Sequence, residues 1–304
     1  MTIQLDVPLP DLHRHLDGSI RPSTLEELAC RANRLLPVDL RAPRHASLQE
    51  LLHKFDFVLS LLQGPAEVGR VASEICEDAI ADGVSTLEVR LSPQLHRGAA
   101  PEAIVEAALE GLGGRAGLIL CGLLGEPPEV LDSLVTIART RPGVVGIDFA
   151  HGPESNDHSS MDRYAPAFQR AEDLGIGRTV HAAEGRPASE ISVAIESLRA
   201  QRIGHATTLL DDPAVLDLVL ERQITIEACP TSNVQTGVVP ALEAHPLPRW
   251  LRAGVRVCIC TDNTFFAGTN ALEEHRRAAA MPGMDEARVR EVVRFGHQAA
   301  FQRT

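Results

Sequence analysis

The sequence has little of what several protein classes require. It contains one lysine, Lys54, and aromatic residues make up only 3% of its 304 residues. With a formal net charge of −12, it lacks the basic surface and the stacking rings that nucleic acid binding needs. No apolar run approaches the roughly 18 residues of a membrane span, and the N-terminus has no signal-peptide pattern. We therefore expect no nucleic acid or membrane partner and a cytoplasmic location.

The six cysteines are scattered and include no CxxC pair. Without a signal peptide, this pattern argues against a disulfide framework. Cys258 and Cys260 alternate in an apolar run, which predicts two buried core residues on one face of a strand. A glycine-rich phosphate-binding loop is also missing after the first predicted strand.

Short apolar, β-rich runs alternate with longer helical stretches along the chain. The predicted strands cover residues 8–15, 85–92, 117–124, 144–150, 178–183, 202–206, 224–229 and 256–261. The clearest helical patterns cover residues 66–82, 102–112, 212–222 and 285–295. Eight such units predict an α/β fold, a (β/α)8 TIM barrel, as one domain over residues 1–304. A doubly wound open sheet is the alternative, although the missing phosphate loop disfavours it.

The main insertion lies between the first and second predicted strands, at residues 20–84. Its composition predicts three helices. The first begins at Pro22, and Ser47 with Glu50 has the spacing of a capping box that would start the second.

Polar residues mark the carboxyl ends of four predicted strands. His13 and His15 close the first, His181 lies in the fifth, His205 closes the sixth and Asp262 follows the eighth. In a barrel these ends converge on one mouth, where active sites are built. Side chains two residues apart on a strand share a face, so His13 and His15 can reach a single cation.

Imidazole and carboxylate together are suited to zinc, so we predict a site formed by His13, His15, His181 and Asp262. Zinc with an open position lowers the pKa of a bound water toward about 7. Glu184, three residues after His181, is a candidate general acid, and His205 could hold the attacking water or accept its proton. The remaining histidines receive no role: His45, His53, His96, His158, His245, His275 and His297.

These residues lie in ordered segments that resemble the motifs of one known family. The segments read HRHLDGSIRPSTLEELA, STLEVRLSP, VVGIDFA, TVHAAE, RIGHAT, EACPTSN and CTDNTFFAGT. In this order they are similar to the adenosine deaminase family of the amidohydrolase superfamily, from about residue 9 to 270. The resemblance implies a (β/α)8 barrel, one Zn2+ per chain and hydrolytic deamination at the six-position of a purine.

The resemblance also implies roles for single residues. His13, His15, His181 and Asp262 fall on the metal-ligand positions, and Asp262 also on a hydrogen bond to the attacking water. Glu184 falls on the acid that protonates the ring nitrogen beside the reacting carbon. His205 falls on the residue that orients or deprotonates the water and stabilises the oxyanion. Asp17 falls on a contact to the ribose side of the nucleoside.

Three departures from the family pattern lie around the substrate rather than the metal. Asn263 replaces the second of two adjacent aspartates, and its amide could keep the purine contact in altered form. Ala183 replaces a glycine beside the catalytic acid. The segment after the fourth strand reads His151-Gly152 in place of Gly-Asp, so His151 is either a substrate contact or a loop residue, and Gly152 could take the family glycine's place.

The predicted activity is therefore zinc-dependent deamination of adenosine or deoxyadenosine, which makes the partner a small aminopurine. Adenine is an alternative substrate, as is an adenosine with a larger 5′ group such as aminodeoxyfutalosine. Less favoured are another mononuclear amidohydrolase activity and a non-catalytic nucleoside-binding barrel. Many amidohydrolases bridge two metals with a carboxylated lysine, but Lys54 lies in the helical insertion and not at a strand end.

Overall fold

The computed structural model describes residues 7–37, 40, 48–151 and 161–301. Within these residues, eight parallel strands alternate with helices, and each predicted strand end lies within two residues of the observed one. The strands are β1 (Leu9–His15), β2 (Val84–Leu91), β3 (Gly117–Leu124), β4 (Val144–His151), β5 (Gly177–Ala182), β6 (Arg202–His205), β7 (Thr225–Ala228) and β8 (Arg256–Ile259).

The strands form one parallel sheet in sequential order, with each strand paired to the next. Just beyond β8, a backbone bridge between Arg14 and Asp262 joins the last strand to β1. Two backbone hydrogen bonds reinforce this seam: the N–H of Asp262 donates to the carbonyl of His13 at 2.7 Å, and that of His15 donates to Asp262 at 2.9 Å. The fold is therefore the predicted (β/α)8 barrel, and the alternative of an open doubly wound sheet is wrong.

Helices lie between the strands and cover the outside of the sheet. They are α1 (Pro22–Arg31), α2 (Leu48–Leu59), α3 (Pro65–Ala81), α4 (Pro101–Leu112), α5 (Pro128–Arg139), α6 (Ala165–Asp173), α7 (Ser189–Glu196), α8 (Pro213–Glu221), α9 (Pro230–Gln235), α10 (Leu247–Arg252), α11 (Thr264–Ala267), α12 (Ala271–Ala279) and α13 (Glu286–Ala299). Many begin with proline, whose fixed φ suits the first helical position. The last helix, α13, packs on β8 and β1 and so covers the seam of the barrel.

The link between β1 and β2 contains the predicted helical insertion. Its described part holds three helices, α1, α2 and α3, and α1 begins at Pro22 as expected. Ser47 of the predicted capping box lies outside the described residues. The helices predicted at residues 66–82, 102–112, 212–222 and 285–295 correspond to α3, α4, α8 and α13, of which α13 continues four residues further.

The strands are buried on both faces, as is typical of a parallel sheet covered by helices. Cys258 and Cys260 lie in the core with their sulfur atoms 3.5 Å apart, so both are buried packing residues as expected. In the part of the chain that the structure describes, no helix has the length and apolar character needed to cross a membrane.

Candidate active site

Three histidines from two distant strands meet at the carboxyl end of the barrel. The alternation of β1 turns His13 and His15 to the same face, and His181 approaches from β5. Nε2 of His15 lies 3.3 Å from Nε2 of His181, and the ring centroids of His13 and His181 are 4.5 Å apart. The three rings each place one donor nitrogen within 4.8 Å of the others, which is close enough for a shared metal ion.

Asp262 adds a carboxylate to this cluster from the segment after β8. Its Oδ1 lies 3.3 Å from Nε2 of His15 and 3.7 Å from Nε2 of His13. The other oxygen, Oδ2, accepts a hydrogen bond of 2.5 Å from the Ser232 hydroxyl, which fixes the orientation of the carboxylate. The four residues predicted as metal ligands are therefore brought together.

A second layer of buried carboxylates orients the histidine rings. Glu227 lies 2.6 Å from Nδ1 of His13, and Asp148 lies 3.1 Å from Nδ1 of His181. Arg90 connects the two acids, with nitrogens 2.7 Å from Asp148 and 2.9 Å from Glu227. A carboxylate on Nδ1 holds the proton there and leaves Nε2 free to bind a metal.

Burial also keeps the imidazoles of β1 in the neutral form that metals require. Desolvation, helped by the positive charge of Arg90, holds the pKa of His13 well below its ordinary value, and burial lowers the pKa of His15 to about 3. Within the described residues, the buried Nε2 of His13 has no hydrogen-bond partner. An orphaned nitrogen facing two further donors fits a metal site, because a buried polar atom is rarely left unpaired.

A second group of possible ligands is less suited to a metal. His13, His205 and Cys229 also place donor atoms within 4.8 Å of one another. Burial raises the pKa of the Cys229 thiol well above its ordinary value, and a thiol must lose its proton to bind a metal. The set with His15 and His181 is therefore the better candidate.

The two remaining predicted catalytic residues lie beside the cluster. Glu184 follows β5 by two residues, is partly exposed, and accepts a hydrogen bond of 3.4 Å from Thr236. His205 ends β6, with its ring centroid 5.1 Å from that of His13 and its Nδ1 3.8 Å from Oε1 of Glu184. A partly exposed carboxyl group and a buried imidazole thus stand together beside the predicted metal ligands.

The backbone is strained where these side chains are presented. Ala183, His205 and Asp262 all adopt left-handed conformations, with φ of +57°, +67° and +59°. Residues other than glycine avoid this region unless the surrounding structure enforces it, and such residues cluster at functional sites. The Ala183 N–H donates to Glu190 at 2.9 Å, so part of the enforcement comes from α7.

The predicted substrate residues Asp17 and Asn263 lie on the β1–β8 side of the site. Asp17 is partly buried, which raises the pKa of its carboxyl, and it accepts a hydrogen bond of 3.1 Å from the N–H of Gly18. Gly18 has no room for a side chain, since a Cβ there would lie 1.7 Å from Oδ1 of Asn263. The Asn263 amide donates to Asp262 at 2.7 Å, so this residue also contacts a predicted metal ligand.

His151 lies on another side of the site, at the end of β4. Its Nε2 is 3.6 Å from Oε1 of Glu190, the residue that also binds the Ala183 N–H. The structure therefore brings His151 to the segment that precedes Glu184. Gly152, predicted as a substrate contact, lies outside the described residues.

Sequence reasoning missed several residues of this site. Asp148, Glu227 and Arg90 are charged residues inside apolar strands, and that is the signal that could have identified them. His96, given no role from the sequence, is buried near Asp17, and its charge acts on the pKa of that carboxyl. His245, also given no role, contacts Asn233 of the EACPTSN segment at 3.2 Å.

Comparison with known proteins agrees with this geometry. The family described as "Adenosine deaminase" matches residues 8–304. Adenosine deaminase from Clostridium acetobutylicum is 33% identical over 316 residues, covering 98% of this chain and 94% of the relative, and the one from Enterococcus faecalis is 36% identical over 294 residues, covering 90% and 86%. The crystal structure of an Arabidopsis N6-mAMP deaminase matches with a TM-score of 0.87 at 26% identity, covering 98% of this chain and 94% of that one. The chain belongs to the adenosine deaminase family and is a hydrolytic deaminase.

Proposed function

We propose that the protein deaminates adenosine or deoxyadenosine to inosine or deoxyinosine, with release of ammonia. The observation that carries this proposal is the convergence of His13, His15, His181 and Asp262 beside Glu184 and His205. This arrangement supports the proposal because it would combine a metal site, a proton donor and an imidazole within one barrel mouth. The adenosine deaminases from Clostridium and Enterococcus support the choice of substrate.

We further propose that His13, His15, His181 and Asp262 hold one Zn2+ per chain. Three neutral imidazoles and a carboxylate fit zinc, although the same ligands accept other divalent ions. When bound, zinc would make a water nucleophilic at neutral pH by lowering its pKa. Lys54 lies in α2, away from the strand ends, which argues against a lysine-bridged pair of metals. Metal analysis of the purified protein should give about one zinc per chain, and two would contradict the proposal.

The side chains around the metal site would move and hold protons during the reaction. Water adds its oxygen to the six-position carbon of the purine, and the amino group leaves as ammonia. Glu184 would protonate the ring nitrogen next to that carbon, which prepares the carbon for attack. Asp262 would accept a hydrogen bond from the attacking water, and His205 would orient the water or deprotonate it.

The main open point about the substrate is whether it carries a ribose and which group stands at the 5′ position. We propose that Asp17 contacts the ribose and that Asn263 contacts the purine, with His151 and Gly152 as further candidate substrate contacts. Adenine and 5′-modified adenosines such as aminodeoxyfutalosine are the alternative substrates. The Arabidopsis relative is named for a nucleoside monophosphate, so a 5′-phosphate belongs among the substrates to be tested. A single domain over residues 1–304 and a cytoplasmic location complete the proposal.

A substrate panel with ammonia detection tests this function directly. Zinc-loaded protein would be incubated with adenosine, deoxyadenosine, adenine, AMP and aminodeoxyfutalosine. Adenosine or deoxyadenosine should give the highest kcat/KM, together with the blue-shifted ultraviolet absorbance of the inosine product. A higher kcat/KM for another aminopurine would replace the proposed substrate, and no ammonia from any of them would overturn the proposed function.

A further inference from the structure

A chain of hydrogen bonds connects His205 to the protein interior and has no place in the function proposed so far. It runs from the backbone N–H of Leu247 through His245 and Asn233 to His205. The distances are 3.1 Å from Leu247 N to Nδ1 of His245, 3.2 Å from Nε2 of His245 to Oδ1 of Asn233, and 3.0 Å from Nδ2 of Asn233 to Nδ1 of His205. All three side chains are buried.

The direction of every hydrogen bond in this chain follows from its first member. The Leu247 N–H can only donate, so Nδ1 of His245 must accept. Burial lowers the pKa of His245 to about 3, so the ring is neutral and its single proton is on Nε2. That N–H donates to Oδ1 of Asn233, since a histidine N–H facing the amide nitrogen would place two donors against each other.

The same logic extends to His205. With its oxygen directed toward His245, the Asn233 amide presents its NH2 group to His205. Nδ1 of His205 must then accept, and the proton of the neutral ring is placed on Nε2. Among the described residues, no hydrogen bond reaches this Nε2, while the rings of His13 and His181 lie 5.1 and 5.2 Å from the ring of His205.

Packing and backbone hydrogen bonds hold His245 and Asn233 in place. The His245 ring stands edge-on to Trp250, with centroids 5.5 Å apart and an interplanar angle of 81°. The backbone of Asn233 is bonded on both sides, because its N–H donates to Cys229 and its carbonyl accepts from Val239, both at 2.9 Å. A flip of the Asn233 amide would turn its NH2 group toward the Nε2–H of His245, and two buried donors would then face each other without an acceptor.

We propose that Asn233 and His245 are positioning residues that hold His205 as the neutral tautomer with its proton on Nε2. Within the proposed function, on which this last step rests, His205 then offers the attacking oxygen a hydrogen-bond donor. Its only lone pair on a ring nitrogen is engaged by Asn233. His205 therefore orients the water and stabilises negative charge on its oxygen, and does not act as the base that removes the proton.

Nitrogen-15 NMR of histidine-labelled, zinc-loaded protein tests the tautomer without any turnover. The two ring nitrogens of neutral histidine differ in chemical shift according to which one is protonated, and a His205→Gln variant would assign the signals. The expected result is a protonated Nε2 and an unprotonated Nδ1 in His205 and His245. Protonation of His205 at Nδ1, or at both nitrogens, at neutral pH would overturn the proposal.

An Asn233→Asp variant tests the cause of the tautomer. A carboxylate accepts from both histidines, so His205 should move its proton to Nδ1, and kcat should fall by about 100-fold, as for loss of one oxyanion donor. Asn263→Asp is the matched control, since it makes the same exchange beside Asp262, at a residue that takes no part in the hydrogen bonds from Leu247 to His205. It should leave the His205 tautomer unchanged. An unaltered tautomer in Asn233→Asp would overturn the positioning role.

His245 provides a second, conservative test. His245→Gln keeps a side-chain N–H for Asn233, whereas His245→Phe keeps the ring but removes the donor. We expect His245→Gln to retain the Nε2 tautomer and at least tenfold more of the wild-type kcat than His245→Phe, at similar KM and zinc content. Equal losses in both variants would contradict the proposal. If the tautomer is as expected but no aminopurine is deaminated, the proposed function fails and the hydrogen-bond chain stands.

Discussion

Asp148 holds the far side of the His181 ring, with a carboxylate oxygen 3.1 Å from Nδ1. On the near side, Nε2 of His181 lies 3.3 Å from Nε2 of His15. Burial lowers the pKa of His181, but the charge of Asp148, the hydrogen bond to Asp148 and the charge of Asp262 together outweigh burial and raise that pKa. The acid thus fixes a proton on one nitrogen and directs the other nitrogen to the predicted metal.

We expect Asp148→Asn to weaken zinc binding by about 10- to 100-fold, because the amide no longer orients His181 as a carboxylate does. Competition with a chelator of known affinity measures the change. Glu88→Gln is the control, since Glu88 is a buried acid that pairs with Arg202 at 2.5 Å and touches no predicted ligand. Equal zinc affinity in Asp148→Asn and Glu88→Gln would show that Asp148 acts only as a buried ion-pair partner.

The position of Ala183 leads to a prediction about stability. Its φ of +57° costs about 1–2 kcal/mol for a residue with a Cβ, and glycine removes this strain. The change to glycine also removes a buried methyl group and raises the entropy of the unfolded chain. The free-energy cost of these two effects together is similar to the strain that is relieved. Ala183→Gly should therefore leave the free energy of unfolding nearly unchanged, as measured by denaturant titration.

Ala182→Gly is the matched control for this strain. Ala182 is equally buried but lies in β5 with ordinary backbone angles, so the change to glycine relieves nothing. We expect it to destabilise the protein by at least about 1 kcal/mol more than Ala183→Gly does. Similar losses for the two variants would mean that the backbone at Ala183 is not strained.

Gly204 leaves the space that the His13 ring occupies. A Cβ at this position would lie 2.9 Å from Cε1 and 3.2 Å from Nδ1 of His13, closer than such atoms normally approach. Gly204→Ala should displace His13 and lower kcat/KM by about 100-fold, the usual effect of a misplacement of about 1 Å. Steady-state kinetics and zinc content measure the two consequences.

The control for crowding is Gly122→Ala, where the new Cβ would lie 2.9 Å from a methyl carbon of Leu131. The clash is equally close but meets a flexible side chain away from the predicted ligands. We expect this variant to keep its zinc and most of its activity. If Gly204→Ala also keeps both, His13 does not need its observed position.

The barrel and the convergence of the four predicted ligands could be predicted from the sequence because both depend on local patterns. Alternation within one strand places His13 and His15 on the same face, and the common direction of parallel strands brings His181 and Asp262 to the same mouth. Each of these steps needs only the order of elements along the chain. The register between strands was not required.

The supporting residues could not be predicted because they depend on distances between strands and on loop paths. Asp148 meets His181 only through the relative register of β4 and β5, which the sequence does not specify. His245 reaches Asn233 because the chain between α9 and α10 turns back on itself. The left-handed φ of Ala183 is likewise a product of the surrounding contacts, since alanine itself disfavours it.

Glu184 lies 3.8 Å from His205 but is not one of the predicted metal ligands. A substitution at Glu184 can therefore test proton donation without removing a metal ligand. Its carboxylate is outside the predicted ligand set, and Thr236 contacts one of its oxygens at 3.4 Å. Glu184→Gln keeps the shape but removes the acid, so we expect kcat to fall by about 100- to 10,000-fold with zinc content unchanged. Activity within a few fold of wild type would contradict the role of Glu184 as the acid.

Asp17 offers a test that distinguishes a ribose contact from a general effect on the site. Adenosine has the sugar and adenine does not, so loss of a ribose contact can affect only the first. We expect Asp17→Asn to lower kcat/KM for adenosine, relative to adenine, by about tenfold or more, the value of one hydrogen bond to a charged group. Kinetics with both substrates on the same zinc-loaded preparation measure this ratio. An equal loss for adenosine and adenine would place Asp17 against the purine or the metal cluster, because only a contact common to both substrates affects them alike.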